Sequence, residues 1–152
     1  MIERYSRKEL KNIWAEENKY KIWLDIELAA AEAMEKFKII PKGVVKKVRS
    51  KARIDVARIL KIEETVKHDV IAFLTSITEK VGKEARFLHK GMTSSDVLDT
   101  CFSLQLKQSG EILLKDINIL LASIKKQAVK HKKTLCIGRS HGIHAEPITF
   151  GL

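Results

Sequence analysis

From Ser95 to Lys130 the chain carries no proline and a single glycine, Gly110. Leu113, Ile117, Leu120, Ile124 and Ala128 recur there at steps of three and four, and Leu114 and Leu121 mark a second stripe. Both stripes follow the helical period, so the spacing predicts one uninterrupted helix. At its usual rise such a helix is about 54 Å long. A compact chain of this length has a radius of gyration of only about 15 Å. The helix must project beyond its own domain, and its wide apolar coverage needs other helices to bury it. With two prolines and seven glycines in 152 residues, the chain has too few turn formers for an all-β fold. The expected class is all-α.

Shorter helices precede the long one. Ser6-Arg7-Lys8-Glu9 has the form of a capping box opening a short helix to about Trp14. A longer helix is expected from about Glu16 to Lys38, with Trp23, Ile26, Ala30, Ala33 and Phe37 on one face and Leu24, Leu28 and Ala31 on another. After a break at Ile39–Gly43, a basic amphipathic segment covers Val44 to Ala52. Ile54 to Val66 reads as a helix with Asp55 near its start. His68-Asp69 opens the next, whose buried face is Val70, Phe73, Leu74, Ile77 and Val81, and which Gly82 stops. Residues 83–92 connect to the long helix. Beyond it, Thr134–Arg139 reads as extended, Ser140–Glu146 as a polar loop, and Pro147 as the first turn of a new helix.

Composition excludes several classes. There is no run of eighteen apolar residues, hence no expected membrane helix, and Met1–Leu10 lacks the apolar stretch of a signal peptide. Two cysteines, Cys101 and Cys136, form no CxxC pair. That argues against a disulfide scaffold or thiolate zinc site and suits a reducing cytoplasm. The net charge of +10, from 29 basic and 19 acidic residues, draws anions: nucleic acid, acidic membrane or phosphorylated metabolites. The charge alone does not choose among these, and a lysine-rich solvated surface explains it equally well.

The residues able to do chemistry gather at segment boundaries. Four of five histidines lie there, in Lys67-His68-Asp69, in His89-Lys90-Gly91-Met92-Thr93-Ser94-Ser95-Asp96, and in Gly138-Arg139-Ser140-His141-Gly142-Ile143-His144-Ala145-Glu146-Pro147. The fifth, His131, sits in a lysine run and reads as solvated. Thr93–Asp96 is either a plain helix cap or an anion site built from helix-start amides and hydroxyls; local sequence favours the cap. Glycines around His141 permit an unusual backbone and leave an imidazole reachable for acid–base work. His141 and His144 have no third ligand at helical spacing, which argues against a metal. No P-loop or GxGxxG occurs.

These segments, with Arg4-Tyr5-Ser6 and Trp23-Leu24-Asp25-Ile26-Glu27, resemble the adenylosuccinate lyase family of the fumarase/aspartase superfamily over the whole chain. The Thr-Ser-x-Asp segment resembles the wider superfamily; Ser-His-Gly-x-His-Ala-Glu-Pro is the more specific signature. The resemblance implies an N-terminal helical domain over residues 1–92. Residues 93–152 would be the opening of a central helical-bundle domain, with its first long helix. It also implies a cytoplasmic C–N lyase of purine biosynthesis that needs no cofactor. The reaction is β-elimination of fumarate from adenylosuccinate, giving AMP, and from the succinyl-carboxamide ribotide SAICAR, giving AICAR.

Carried over by position, His141 matches the acid that protonates the leaving nitrogen. Thr93 and Ser94 match hydroxyls that hold a substrate carboxylate, and Arg4 and Tyr5 match contacts to the nucleotide end. Lys67, His68 and Asp69 match a substrate-contacting segment, with His68 near the phosphate, and His89 matches a further active-site histidine. Family members form homotetramers several hundred residues long per chain, with a base that resembles a serine in a mobile loop. No counterpart of that loop falls within the 152 residues, so the chain reads as an N-terminal portion, inactive alone. A partner-docking or nucleic-acid-binding helical module is the alternative. It rests on charge and on Lys46-Lys47, Lys125-Lys126 and Lys130–Lys133, and it leaves the histidine motifs unexplained.

Overall fold

Among the described residues, six α-helices in succession are followed by one β-hairpin. The structure, a computed structural model, describes residues 2–152, without the side chain of Glu3. A short 3-10 turn at Glu3–Tyr5 precedes α1 (Lys8–Ile13), α2 (Glu16–Lys36), α3 (Val44–Lys51), α4 (Val56–Val66) and α5 (Asp69–Val81). A second 3-10 turn, Lys83–Phe87, leads to α6 (Ser94–Lys130), followed by β1 (Leu135–Ser140) and β2 (Ile143–Thr149). The mostly helical class and the unbroken 37-residue helix agree with the sequence. No helix among the described residues is long and apolar enough to cross a membrane.

The chain divides into two compact units, residues 1–109 and 110–152. In the first, α4 packs on α5, α2 on α3, and both α3 and α5 on the second 3-10 turn. Its centre is aromatic. Tyr20 stacks on Phe73 with ring centroids 5.9 Å apart, and Trp23 meets the two edge-on at 5.2 and 5.5 Å. All three rings are buried, each contributing roughly 4–6 kcal/mol of gross transfer free energy. Burial and the negative charges of Glu16, Glu63 and Asp69 push the Tyr20 phenol well above its ordinary range.

Local chemistry sets the boundaries. Asp55 caps α4 by accepting the Arg58 N–H at 3.0 Å, and Gly82 ends α5 at φ +83°. The first turn of α6 carries Val97 into the core, and Cys101 and Gln105 follow one turn apart on the same face. Gln105 Nε2 donates to the Ile13 carbonyl at 2.8 Å, as does Asn18 Nδ2 at 2.9 Å, which satisfies an end carbonyl of α1.

Several local expectations fail, among them the polar loop at Ser140–Glu146, most of which is strand. The Ser6 capping box does not form: Arg7 is the cap residue, and the Ser6 hydroxyl donates to the Ile2 carbonyl at 2.8 Å instead. On the face expected for the second helix, Ala33 is exposed, and Phe37 lies just past the end of α2 and is 78% exposed. The buried face of α2 is Tyr20, Trp23, Glu27 and Ala31 with Ile22 and Leu28, a stripe rotated away from Phe37. Pro147 opens no helix; it lies in β2, paired with Ile137.

In the second unit, β1 and β2 pair antiparallel. Arg139 faces His144 while Ile137 faces Pro147, so Gly138 spans two residues of the partner strand. A Cβ on Gly138 would come within 3.2 Å of the Glu146 carbonyl oxygen, which is why this bulge takes glycine. Phe150 N–H donates to the Thr134 carbonyl at 2.8 Å, and Gly151 N–H to the His131 carbonyl at 3.1 Å. His131, expected to be solvated, lies edge-on to Phe150 with centroids 5.2 Å apart. Leu113, Leu114, Ile117, Leu120, Leu121 and Ile124 of this unit are each more than half exposed.

Candidate active site

His141 stands at the tip of the hairpin. Ser140 pairs with Ile143, leaving a two-residue loop of His141 (φ +50°) and Gly142 (φ +78°). Two successive positive φ values are what a type I′ turn requires, and its twist matches that of the flanking strands. Glycine adopts this backbone freely, and histidine is among the few other residues enriched there. The turn leaves His141 exposed, able to exchange a proton with a bound group. Arg139 reaches across to the Gly142 carbonyl at 3.4 Å.

The other site residues lie in the first unit. Arg4 and Tyr5 occupy the first 3-10 turn, with the Arg4 guanidinium over the Tyr5 ring at 4.8 Å and Tyr5 74% exposed. Lys67 and His68 form the tight link between α4 and α5. Lys67 takes a left-handed backbone (φ +54°) and His68 an extended one. His68 Nδ1 accepts the Ile71 N–H at 3.4 Å and lies 3.5 Å from Asp69. With Nδ1 facing the helix end, Nε2 is the nitrogen left for a ligand. Asp69 accepts the Val70 N–H at 2.7 Å.

Thr93 immediately precedes α6, and Ser94 is its first residue. The Asp96 carboxylate accepts the Thr93 N–H at 2.7 Å, which is one half of a capping box. The helix-cap reading of this cluster is therefore present. The Thr93 and Ser94 hydroxyls make no hydrogen bond among the described residues, and Thr93 is exposed. Because the cap uses the Asp96 carboxylate and a backbone amide, both hydroxyls remain available to an anion.

His89 is also left-handed (φ +58°). Its ring Nδ1 and its backbone N–H each lie 2.6 Å from the carboxylate of Glu27. Glu27 was not among the sequence-derived site residues. The signal was an acid on the core face of α2, four residues after Trp23 and four before Ala31. Among the described residues, no hydrogen bond or ion pair links the 4–5, 67–69 and 89–94 segments to one another. No cluster of three or more metal-ligating side chains occurs among the described residues.

A family model described as lyase matches residues 1–152. The chain belongs to this lyase family. Curated relatives of the lyase chain agree. It is 49% identical to the adenylosuccinate lyase of Bacillus subtilis and 48% identical to that of Aquifex aeolicus, in each case along its whole length. The chain spans about a third of those relatives, 35% and 36%. Among solved structures, a fumarate lyase from Mesorhizobium superposes on 96% of the chain with a TM-score of 0.88 at 22% identity, which speaks to the fold alone. A 3-carboxy-cis,cis-muconate lactonizing enzyme from Pseudomonas putida superposes on 97% of it with a TM-score of 0.85 at 26% identity. Each covers this chain with 35% of its own length.

Proposed function

We propose that this lyase chain forms the N-terminal portion of an adenylosuccinate lyase. The enzyme would release fumarate from adenylosuccinate and from SAICAR in the cytoplasm. The observation that carries the reading is the near-50% identity to enzymes of that name along the entire chain. The geometry supports it: His141 is exposed on a turn built to display it, and two unengaged hydroxyls flank a helix start.

Removing the proton next to a carboxylate builds negative charge, and the departing nitrogen needs a proton. His141 would supply that proton. Thr93, Ser94 and the first amides of α6 would hold a substrate carboxylate. Arg4 and Tyr5 would contact the nucleotide end, Lys67, His68 and Asp69 the phosphate region, and His89 a further part of the substrate. The base is assigned to no residue of this chain, and the reaction is proposed to need no cofactor or metal.

Residues 1–92 would form the N-terminal domain and 93–152 the start of the bundle. The exposed leucines and isoleucines of α6 would then be buried between four subunits. The test mixes the purified chain with the polypeptide corresponding to the remaining two thirds of the Bacillus subtilis relative. Release of AMP and fumarate from adenylosuccinate by the mixture, and not by the chain alone, is the expected result. A folded, tetrameric mixture without turnover would overturn the reading.

A further inference from the structure

Glu27 is the only buried charged side chain among the described residues, with a relative exposure of 1%. It sits in the middle of α2, on the face that carries Trp23 and Ala31. A carboxylate is kept in such surroundings only when its oxygens are well partnered. Both partners belong to one residue 62 positions away: Oε2 accepts the His89 backbone N–H and Oε1 faces His89 Nδ1, each at 2.6 Å. The backbone bond also holds a non-glycine residue at positive φ.

An ionised carboxylate has acceptors only. Its two oxygens therefore demand two donors, and the second must be Nδ1–H. That leaves Nε2 as the outward nitrogen. Nε2 has no hydrogen-bond partner and is not among the buried unpaired atoms, and the His89 side chain keeps 21% of its exposure. We propose that Glu27 is a positioning residue that fixes His89 in the Nδ1–H form and presents Nε2 to the substrate. The presentation to substrate rests on the reading of His89 under the proposed function; the hold on the ring does not.

The decisive variant is Glu27→Gln. It keeps the shape but replaces two acceptors by one acceptor and one donor. The amide oxygen can take the backbone N–H, and the amide nitrogen must then donate to Nδ1, which moves the ring proton to Nε2. Long-range ¹⁵N–¹H spectra of the histidine-labelled chain, at a pH where the ring is neutral, read this directly. The wild-type chain should show a protonated Nδ1 at His89, and Glu27→Gln a protonated Nε2. A wild-type ring protonated on Nε2 overturns the proposal even if the variant does not fold. So does a folded variant whose ring pattern is unchanged.

In the mixture with the C-terminal two thirds, Glu27→Gln should lower kcat/KM about tenfold. An unchanged kcat/KM in a mixture whose wild type turns over would refute the link to substrate. A wild-type mixture without turnover, but with His89 protonated on Nδ1, would count against the proposed function and leave the hold of Glu27 on the ring standing.

Discussion

Substituting Gly142 isolates the backbone requirement of the turn that displays His141. A Cβ at Gly142 would meet no atom within 4 Å, so the cost of Gly142→Ala is conformational and not steric. At φ +78° an L side chain costs roughly 1–2 kcal/mol. That is roughly a fivefold to thirtyfold weakening of the closed hairpin. Hairpins are marginal on their own, so the loss should appear in β1 and β2 first. Amide hydrogen exchange of the paired strand residues is the assay, with α5 as the internal reference. Strand protection should fall by that factor while α5 is unchanged. Gly142→Asn should lose much less, because asparagine tolerates the left-handed region. Equal losses for alanine and asparagine, or none for either, would refute the turn argument.

Further outcomes follow from the first unit. Asp55→Ala removes the cap on the Arg58 amide and should lower stability by about 1 kcal/mol in a denaturant titration, with Asp55→Asn largely restoring it; no change would show the cap to be idle. The hydrogen bond from Arg58 holds the Glu79 carboxyl below its usual value of 4.5, and that from Lys47 does the same for Glu84. Groups with depressed values stabilise the fold above the unfolded pKa and lose that contribution as pH falls through the folded one. The melting temperature should therefore drop as pH is lowered below about 4.5, less steeply in Arg58→Gln. At the alkaline end burial raises the Cys101 thiol above 9.0, so its contribution is complete below that pH and lost above it. Identical acid profiles for the wild type and Arg58→Gln would remove the Glu79 pair from the account.

Where local chemistry acts alone, the sequence was readable. Asp55, His68 and Gly82 mark helix ends by capping or by a positive φ, and each does so in the structure. The long helix was readable because nothing in Ser95–Lys130 can break it. The failures arise where a distant or competing partner decides. The Ser6 hydroxyl is taken by the Ile2 carbonyl. Pro147 could open a helix, but the two-residue turn at His141-Gly142 fixes a hairpin register first, and a proline beside a bulge sacrifices little of the ladder. In the candidate site, His141 and the Thr93-Ser94 pair were visible as motifs. Glu27 was not, because a carboxylate on a core face acquires meaning only from His89, which no local pattern brings beside it.

The role of His141 is best tested by His141→Asn in the mixture with the C-terminal two thirds of the relative. Asparagine followed by glycine is among the strongest type I′ turn sequences, so this change preserves the hairpin while removing the proposed acid. Release of fumarate from adenylosuccinate is the measurement, with strand protection checked in the same sample. The account predicts intact strands and turnover reduced by roughly 100-fold or more. Undiminished turnover with the hairpin intact would contradict it.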